Sequence, residues 1–383
     1  MNITIIKSEE PLNSVGVCGE KILETHNIEE TGLYDLGLFY PEDNSYRIIC
    51  PDVKKFNTIP VLNCIWNSED VFFASVKQNE NDMFSVILYV YSGETGEYES
   101  LLEIPFDRQI LNEKVTVRFF VISPDYVIVQ TEKKIDDNTG DLMGNIEFSL
   151  SLCNIATGEN VEISDLNLIN NGINTIVPVS ENYIMLKTGF SAYNDPRINC
   201  DNENEALIES VYYSTLSMFI GSLKRENTTV GYKMLGTAYY KKYIVDPQVK
   251  DDYIFFTIFD REKNVSETVF YNCVTDETIR CVNEDASQED SANAYVIENK
   301  PYIRNDYDDR YEFFNVITSE SDCVFWEEKF EAVIGELFIF SDTDKGIKRI
   351  RAYSNYKLNL VLNEPGNFVA ACNDGENYYI YLN

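Results

Sequence analysis

The chain has one histidine, His26, and two tryptophans, Trp66 and Trp326, among 383 residues. One histidine excludes any multi-histidine metal site. A Ser-His-Asp or Cys-His centre would have to use His26. That residue ends an apolar run and is followed by Asn-Ile-Glu-Glu, where a single satisfied histidine is the ordinary case. No P-loop, no Gly-x-Gly-x-x-Gly and no Gly-x-Ser-x-Gly occurs. The nine cysteines (Cys18, Cys50, Cys64, Cys153, Cys200, Cys273, Cys281, Cys323 and Cys372) contain no Cys-x-x-Cys pair. A structural zinc site or a redox couple needs such close pairs. Scattered thiols inside apolar runs act as small hydrophobes and suit a reducing compartment.

Long apolar runs are also missing, so no segment has the length to span a bilayer. Met1 to Lys7 is short and is followed by Glu9-Glu10, which is not a signal peptide. Together these features predict a cytoplasmic protein. Bases are scarce: 31 against 64 acids, a net charge of −33. Such a field repels phosphate backbones and anionic lipid, which argues against nucleic-acid or membrane partners. It suits solubility, a cationic partner or Ca²⁺. No Pro/Gly/Ser-rich linker divides the chain, so residues 1–383 read as a single domain and a monomer.

What is abundant is tyrosine and phenylalanine, 26 and 22 residues, which favour pleated, half-buried strand surfaces. A unit recurs along the chain: a short apolar strand, a polar turn, then two or more large apolar residues. Between Asn67 and Ile104 it reads as three runs, Val71–Val76, Phe84–Tyr91 and Tyr98–Ile104, separated by turns. The first apolar residue after the turn falls at Ile22, Val71, Tyr126, Tyr183, Tyr253, Tyr302, Leu337 and Tyr378. These positions lie on average roughly 51 residues apart, near the length of a four-stranded blade. The longest interval crosses the polar stretch from Asn194 to Glu205, which reads as an inserted loop.

A second hairpin follows each of several first ones. Ser92-Gly93-Glu94-Thr95-Gly96-Glu97 and Asn154-Ile155-Ala156-Thr157-Gly158-Glu159 share Thr-Gly-Glu, and Val274–Thr278 and Ile317–Asp322 occupy the same place. A glycine after a polar pair supplies the positive φ of a tight hairpin. A Tyr/Phe-rich strand followed by x-x-Thr-Gly-Glu resembles the blade turn of quinoprotein-type and related β-propeller repeats. The resemblance implies a propeller fold. It implies no quinone cofactor and no functional residue, because the blade tryptophans and the Gly-His…Trp-Asp pair of WD repeats are missing.

The predicted fold is therefore all-β: a single propeller of about eight blades, closed by strands from both termini, with Asn2 to Lys7 completing the last blade. A count of seven joins the hairpin from Phe368 to Leu382 with Leu33 to Tyr40 and Tyr46 to Cys50 instead. Leu207 to Leu223 carries a helical stripe, but repeat position and Val211-Tyr212-Tyr213-Ser214-Thr215 favour a strand with a leading loop. Asp285 to Asn293 reads as a loop.

Two kinds of candidate site emerge. Asp306, Tyr307, Asp308, Asp309 and Arg310 form the densest acidic and aromatic cluster, a rim for sugar or cation, or else a solvated loop. Asp136-Asp137-Asn138-Thr139-Gly140-Asp141 and Asp342-Thr343-Asp344-Lys345-Gly346 set oxygens at alternate positions around a glycine. Asp136, Asn138, Asp141, Asp342 and Asp344 are thus calcium-like, although a hairpin turn explains both stretches and the distal Glu of an EF-hand loop is missing. No other cofactor is expected. The favoured function is non-enzymatic binding of a protein, peptide or carbohydrate at one face or in the central channel. The alternative is a carbohydrate-active hydrolase or lyase with paired carboxylates.

Overall fold

The computed structural model describes residues 2–7, 14–18, 21–28, 33–40, 45–54, 71–78, 84–92, 95–106, 115–134, 146–180, 182–191, 207–223, 231–239, 241–284, 293–327, 329–344, 347–354, 359–373 and 377–382. Among these residues the strands sort into eight sheets, with two short helices. No helix among them is long and apolar enough to cross a membrane.

The sheets follow one another along the chain, each built largely from consecutive antiparallel strands. Sheet one holds Ser14–Cys18, Lys21–Ile28, Leu33–Tyr40 and Ser45–Lys54. Sheet two holds Val71–Gln78, Phe84–Tyr91 and Tyr98–Phe106; the run Leu62 to Trp66 before it lies outside the described residues. Sheet three holds Val115–Ser123, Tyr126–Lys134, Ile146–Asn154 and Asn160–Glu162. Sheet four holds Ile173–Ser180, Tyr183–Ser191, Leu207–Thr215 and Lys233–Ala238. Sheet five holds Lys242–Lys250, Tyr253–Asp260, Val265–Asn272 and Glu277–Asn283. Sheet six holds Ala294–Ile297, Lys300–Asp306, Tyr311–Asn315 and Glu320–Phe325. Sheet seven holds Lys329–Ile334, Leu337–Asp344, Ile347–Ser354 and Asn359–Pro365. Sheet eight pairs Phe368–Asn373 with Asn377–Leu382, and Asn2–Lys7 joins the latter in parallel.

The pairing that a count of seven requires is not found among the described residues. Leu33–Tyr40 pairs with Lys21–Ile28 and Ser45–Lys54 instead.

Side-chain alternation ties neighbouring sheets together from sheet two to sheet eight. Along Tyr253–Asp260, Ile254 and Phe256 pack towards sheet four with Met185 and Val211, while Tyr253 and Phe255 pack towards sheet six with Ala294 and Val296. A strand buried on both faces needs apolar residues at successive positions, which is why this one reads Tyr-Ile-Phe-Phe. Similar shared cores join sheet two to three, three to four, six to seven and seven to eight. Ser14–Cys18 touches Phe368–Asn373, and Ser45–Lys54 touches Val71–Gln78.

The turns between the last two strands of a sheet recur in one geometry. In four of them the first residue's carbonyl accepts a hydrogen bond from the fifth residue's N–H: Ser92 from Gly96, Asn154 from Gly158, Asn272 from Asp276 and Asn315 from Ser319. The fifth residue is left-handed each time, with φ of 71°, 69°, 60° and 60°. Asn272 and Asn315 also accept through Oδ1 from the N–H groups of Thr275 and Thr318, at 2.9 and 3.2 Å, and Asn154 from Thr157 at 2.8 Å. The repeated signature is therefore Asn/Ser-x-x-Thr-(Gly/Asp/Ser)-Glu.

The strand expected at Val211–Thr215 is present, but it starts at Leu207 with no leading loop over residues 207–210, and the helix Leu216–Leu223, on the helical stripe, follows it directly. The Thr215 hydroxyl accepts from Met218 N–H at 3.3 Å and starts the helix, which buries Phe219 and Leu223 between sheets three and four. A second helix, Leu166–Asn171, is capped by Asp165, whose carboxylate accepts from Leu168 N–H at 3.0 Å. The stretch Asn194 to Glu205 lies outside the described residues, as does the stretch Asp285 to Asn293 except for Asn293.

Candidate ligand-binding cleft between the fifth and sixth sheets

Strict up-and-down order decides where polar side chains collect. In each four-stranded sheet the first and third turns lie at one end. The second turn, and the crossing to the next sheet, lie at the other. Tyr307 to Arg310 is the second turn of sheet six, closed by Tyr307 N–H donating to the Arg310 carbonyl at 2.9 Å. Asn283 and Asn293 bound the crossing from sheet five at the same end.

Asp306 and Tyr307 line a cleft of about 540 Å³ between sheets five and six. Its fifth-sheet wall carries Ser266, Thr268, Cys281 and Asn283. Register explains the set: Ser266 pairs with Asn283 and Thr268 with Cys281, so all four share one face. Ile303, Asn305 and Phe314 form the opposite wall, with Ile303 and Phe314 directly paired. Below the cleft the same interface is closed by Tyr253, Phe255, Phe270 and Val296.

Arg304 anchors the upper edge. Its guanidinium donates to both Asp306 oxygens, at 2.6 and 2.7 Å, to the Tyr295 hydroxyl at 2.8 Å and to Asn293 Oδ1 at 2.8 Å. It also lies 4.3 Å from the Phe330 ring centroid, on the first strand of sheet seven. Burial pushes the Tyr295 hydroxyl up to about 12, so it stays protonated. Burial also raises the Cys281 thiol, which therefore sits in the cleft as a neutral SH group.

The sequence-selected cluster thus divides. Asp306 and Tyr307 line the cleft. Asp308 and Asp309 are exposed beside it. Arg310 stacks 4.3 Å from the Tyr307 ring centroid and bonds Asp309 and Glu312 at 3.1 and 2.9 Å. Arg304, Asn293, Ser266, Thr268 and Cys281 were missed. Their only signal is a polar residue interrupting a buried strand, as in Val265-Ser-Glu-Thr-Val-Phe-Tyr-Asn272.

The calcium-like stretches fare differently. Asp136, Asn138 and Asp141 lie outside the described residues. Asp342 and Asp344 are strand residues, and Lys345 and Gly346 lie outside the described residues. The Asp342 carboxylate accepts from Arg351 at 2.7 Å. The backbone of His26 lies in sheet one, opposite Asp35.

Among the described residues, two further carboxylates with buried side chains are held by cations. Glu209 bonds Lys187 at 2.6 Å and accepts from Ile244 N–H at 2.7 Å. Glu327 bonds Arg351 at 3.1 Å and the Tyr353 hydroxyl. Burial, helped by Glu327, pushes that hydroxyl up to about 12.

At the level of fold, the chain resembles β-propeller repeat proteins. A Porphyromonas gingivalis dipeptidyl peptidase 4 structure matches over 92% of this chain and 53% of its own, at 9% identity and a TM-score of 0.50. A prolyl endopeptidase matches over 93% and 52%, at 12% identity and 0.46. The β-propeller domain of the Trilobed protease from Pyrococcus furiosus matches over 92% and 90%, at 10% identity and 0.42. The chain spans about half the length of the first two peptidases. No family model matches the sequence, and no curated protein matches it.

Proposed function

We propose that the eight sheets are the blades of one propeller, closed where Asn2–Lys7 pairs with Asn377–Leu382, and that the protein is a monomeric binding protein rather than an enzyme. The ring is supported by the unbroken succession of shared cores, from sheet two through sheet eight, and by the contacts of sheet one with both neighbours. Ring closure removes exposed edges from the inner strands. The binding face is the one that gathers the second turns and the crossings, and the cleft beside Asp306 and Tyr307 is its site for a peptide or carbohydrate.

The pairing of four described carboxylates, one at the cleft and three elsewhere, supports binding over catalysis. A glycoside hydrolase needs one acid free to hand a proton to the leaving oxygen and a second facing the sugar. Here Glu209, Glu327, Asp342 and Asp306 are each occupied by Lys187, Arg351 or Arg304.

The test combines turnover with protection. Chromogenic glycosides and peptide anilides should give flat rates. A panel of short peptides and oligosaccharides should include members that shield Cys281 from maleimide alkylation, followed by peptide mass. Turnover that disappears in Glu327→Gln or Asp306→Asn would replace this reading with an enzymatic one.

A further inference from the structure

We infer that the cleft between sheets five and six takes a neutral carbohydrate segment; the inference rests on the binding reading above and names its ligand class. The chemistry changes along the interface between sheets five and six. The facing walls begin with Tyr253, Phe255, Phe270 and Val296, packed as a core. Towards the cleft the same faces switch to Ser266, Thr268, Cys281, Asn283 and Asn305. Ser266, Thr268 and Asn293 are 5%, 8% and 8% exposed. The polar groups at other sheet interfaces, such as Gln130 and the Lys187–Glu209 pair, bond directly to the neighbouring sheet, and among the described residues they line no cleft of this kind. Of the hydroxyl and amide groups at the cleft, Thr268 Oγ1 meets Thr257 Oγ1 at 2.9 Å and Asn293 Oδ1 accepts from Arg304 at 2.8 Å, so partners within the fold hold them in place. A wall of them around a cleft of this size suits a ligand with many hydroxyls of its own.

Charge favours an uncharged ligand as well. Both Asp306 oxygens are engaged by Arg304, so neither group offers a free counter-ion to a charged ligand. Glu284 adds an acid at the rim. A phosphate, a carboxylate or a uronic acid would meet net negative charge, in a molecule of −33 overall. The Tyr307 ring is 46% exposed and lines the cleft, while Arg310 stacks on it. Arg310 occupies one ring face, and the other is the flat apolar surface on which the C–H side of a pyranose packs.

Cys281 on the wall is the reporter. Maltose, cellobiose, lactose and their longer homologues are tested at millimolar concentration for slowing of Cys281 alkylation in the full chain. At least one should slow it about tenfold, as near-saturation of a weak site requires. Galacturonic acid oligomers should not. Tyr307→Ala should abolish protection while leaving the melting temperature unchanged, because its side chain lies on an exposed turn. No protection by any neutral saccharide overturns the inference, and so does protection that survives Tyr307→Ala. If peptides protect Cys281 where saccharides do not, the ligand class is wrong and the binding reading stands. If nothing protects it, both fall.

Discussion

At the scale of single residues, the left-handed fifth position of the turn joining the last two strands of a sheet decides which side chains the repeat tolerates. Gly158 has φ 69°, and an added Cβ would meet nothing within 4 Å. Any penalty there is purely conformational. Gly158→Ala is expected to lower stability by about 1 kcal/mol in urea unfolding, with an unchanged slope. Asp276 and Ser319 occupy the same position, and Asp276 accepts from Tyr271 at 2.8 Å and from Lys233. Thr-Gly-Glu is legible in the sequence, yet which residue may replace the glycine depends on such neighbours. A second expectation concerns alkaline pH. Burial pushes the thiols of Cys273 and Cys323 from an ordinary 9.0 up to about 12. Unfolded thiols lose their protons first, so the folded state binds more protons between these values. Their stabilising contribution is complete below pH 9 and is lost as pH rises towards 12. The urea midpoint should fall across that window, and less steeply in a Cys273→Val, Cys323→Val variant.

At the scale of elements, second strands carry a polar residue where it clamps the following sheet. Gln130 on Tyr126–Lys134 donates to the Ile173 carbonyl at 3.0 Å and accepts from Ile173 N–H at 2.6 Å. Lys187 on Tyr183–Ser191, with Glu209, does the same for Ile244. Arg304 on Lys300–Asp306 stacks on Phe330. Gln130 and Lys187 stand equally far into their strands, and Arg304 matches them. Gln130→Leu leaves two buried backbone groups unpaired and should cost about 2 to 4 kcal/mol in chemical denaturation. Lys187→Met leaves the Glu209 charge buried and should cost about 3 to 5 kcal/mol, with part recovered in Lys187→Met, Glu209→Gln. These clamps are illegible in sequence. Gln130 looks like a fault in an apolar run, and its partner lies 43 residues away.

At the scale of the whole molecule, the two ends of the chain meet. Ile6 is buried, and Ile3 and Ile5 pack into the core shared by sheets seven and eight. Deleting residues 1–7 strips Asn377–Leu382 of a paired neighbour and uncovers that core. The truncated chain should melt lower, lose a single cooperative transition, and self-associate through the exposed edge in sedimentation velocity. The spare N-terminal run and the incomplete last unit were readable from the spacing of the hairpins. The parallel direction of the pairing was not, because it depends on how the fold brings two distant ends of the chain side by side.

The order of residues alone determined the class of structure here. Tyr- and Phe-rich runs cannot cover both of their faces by themselves, so their regular recurrence demanded neighbours on either side. It also determined what is lacking: one histidine, no close cysteine pairs and a surplus of acid close off whole chemistries. Tertiary structure decided which of the 64 acids are tied to cations and which face a cavity. It placed Ser266, Thr268, Cys281 and Arg304 around one cleft. Strand pairing and sheet packing bring such residues together across long stretches of chain, and no local pattern encodes that distance.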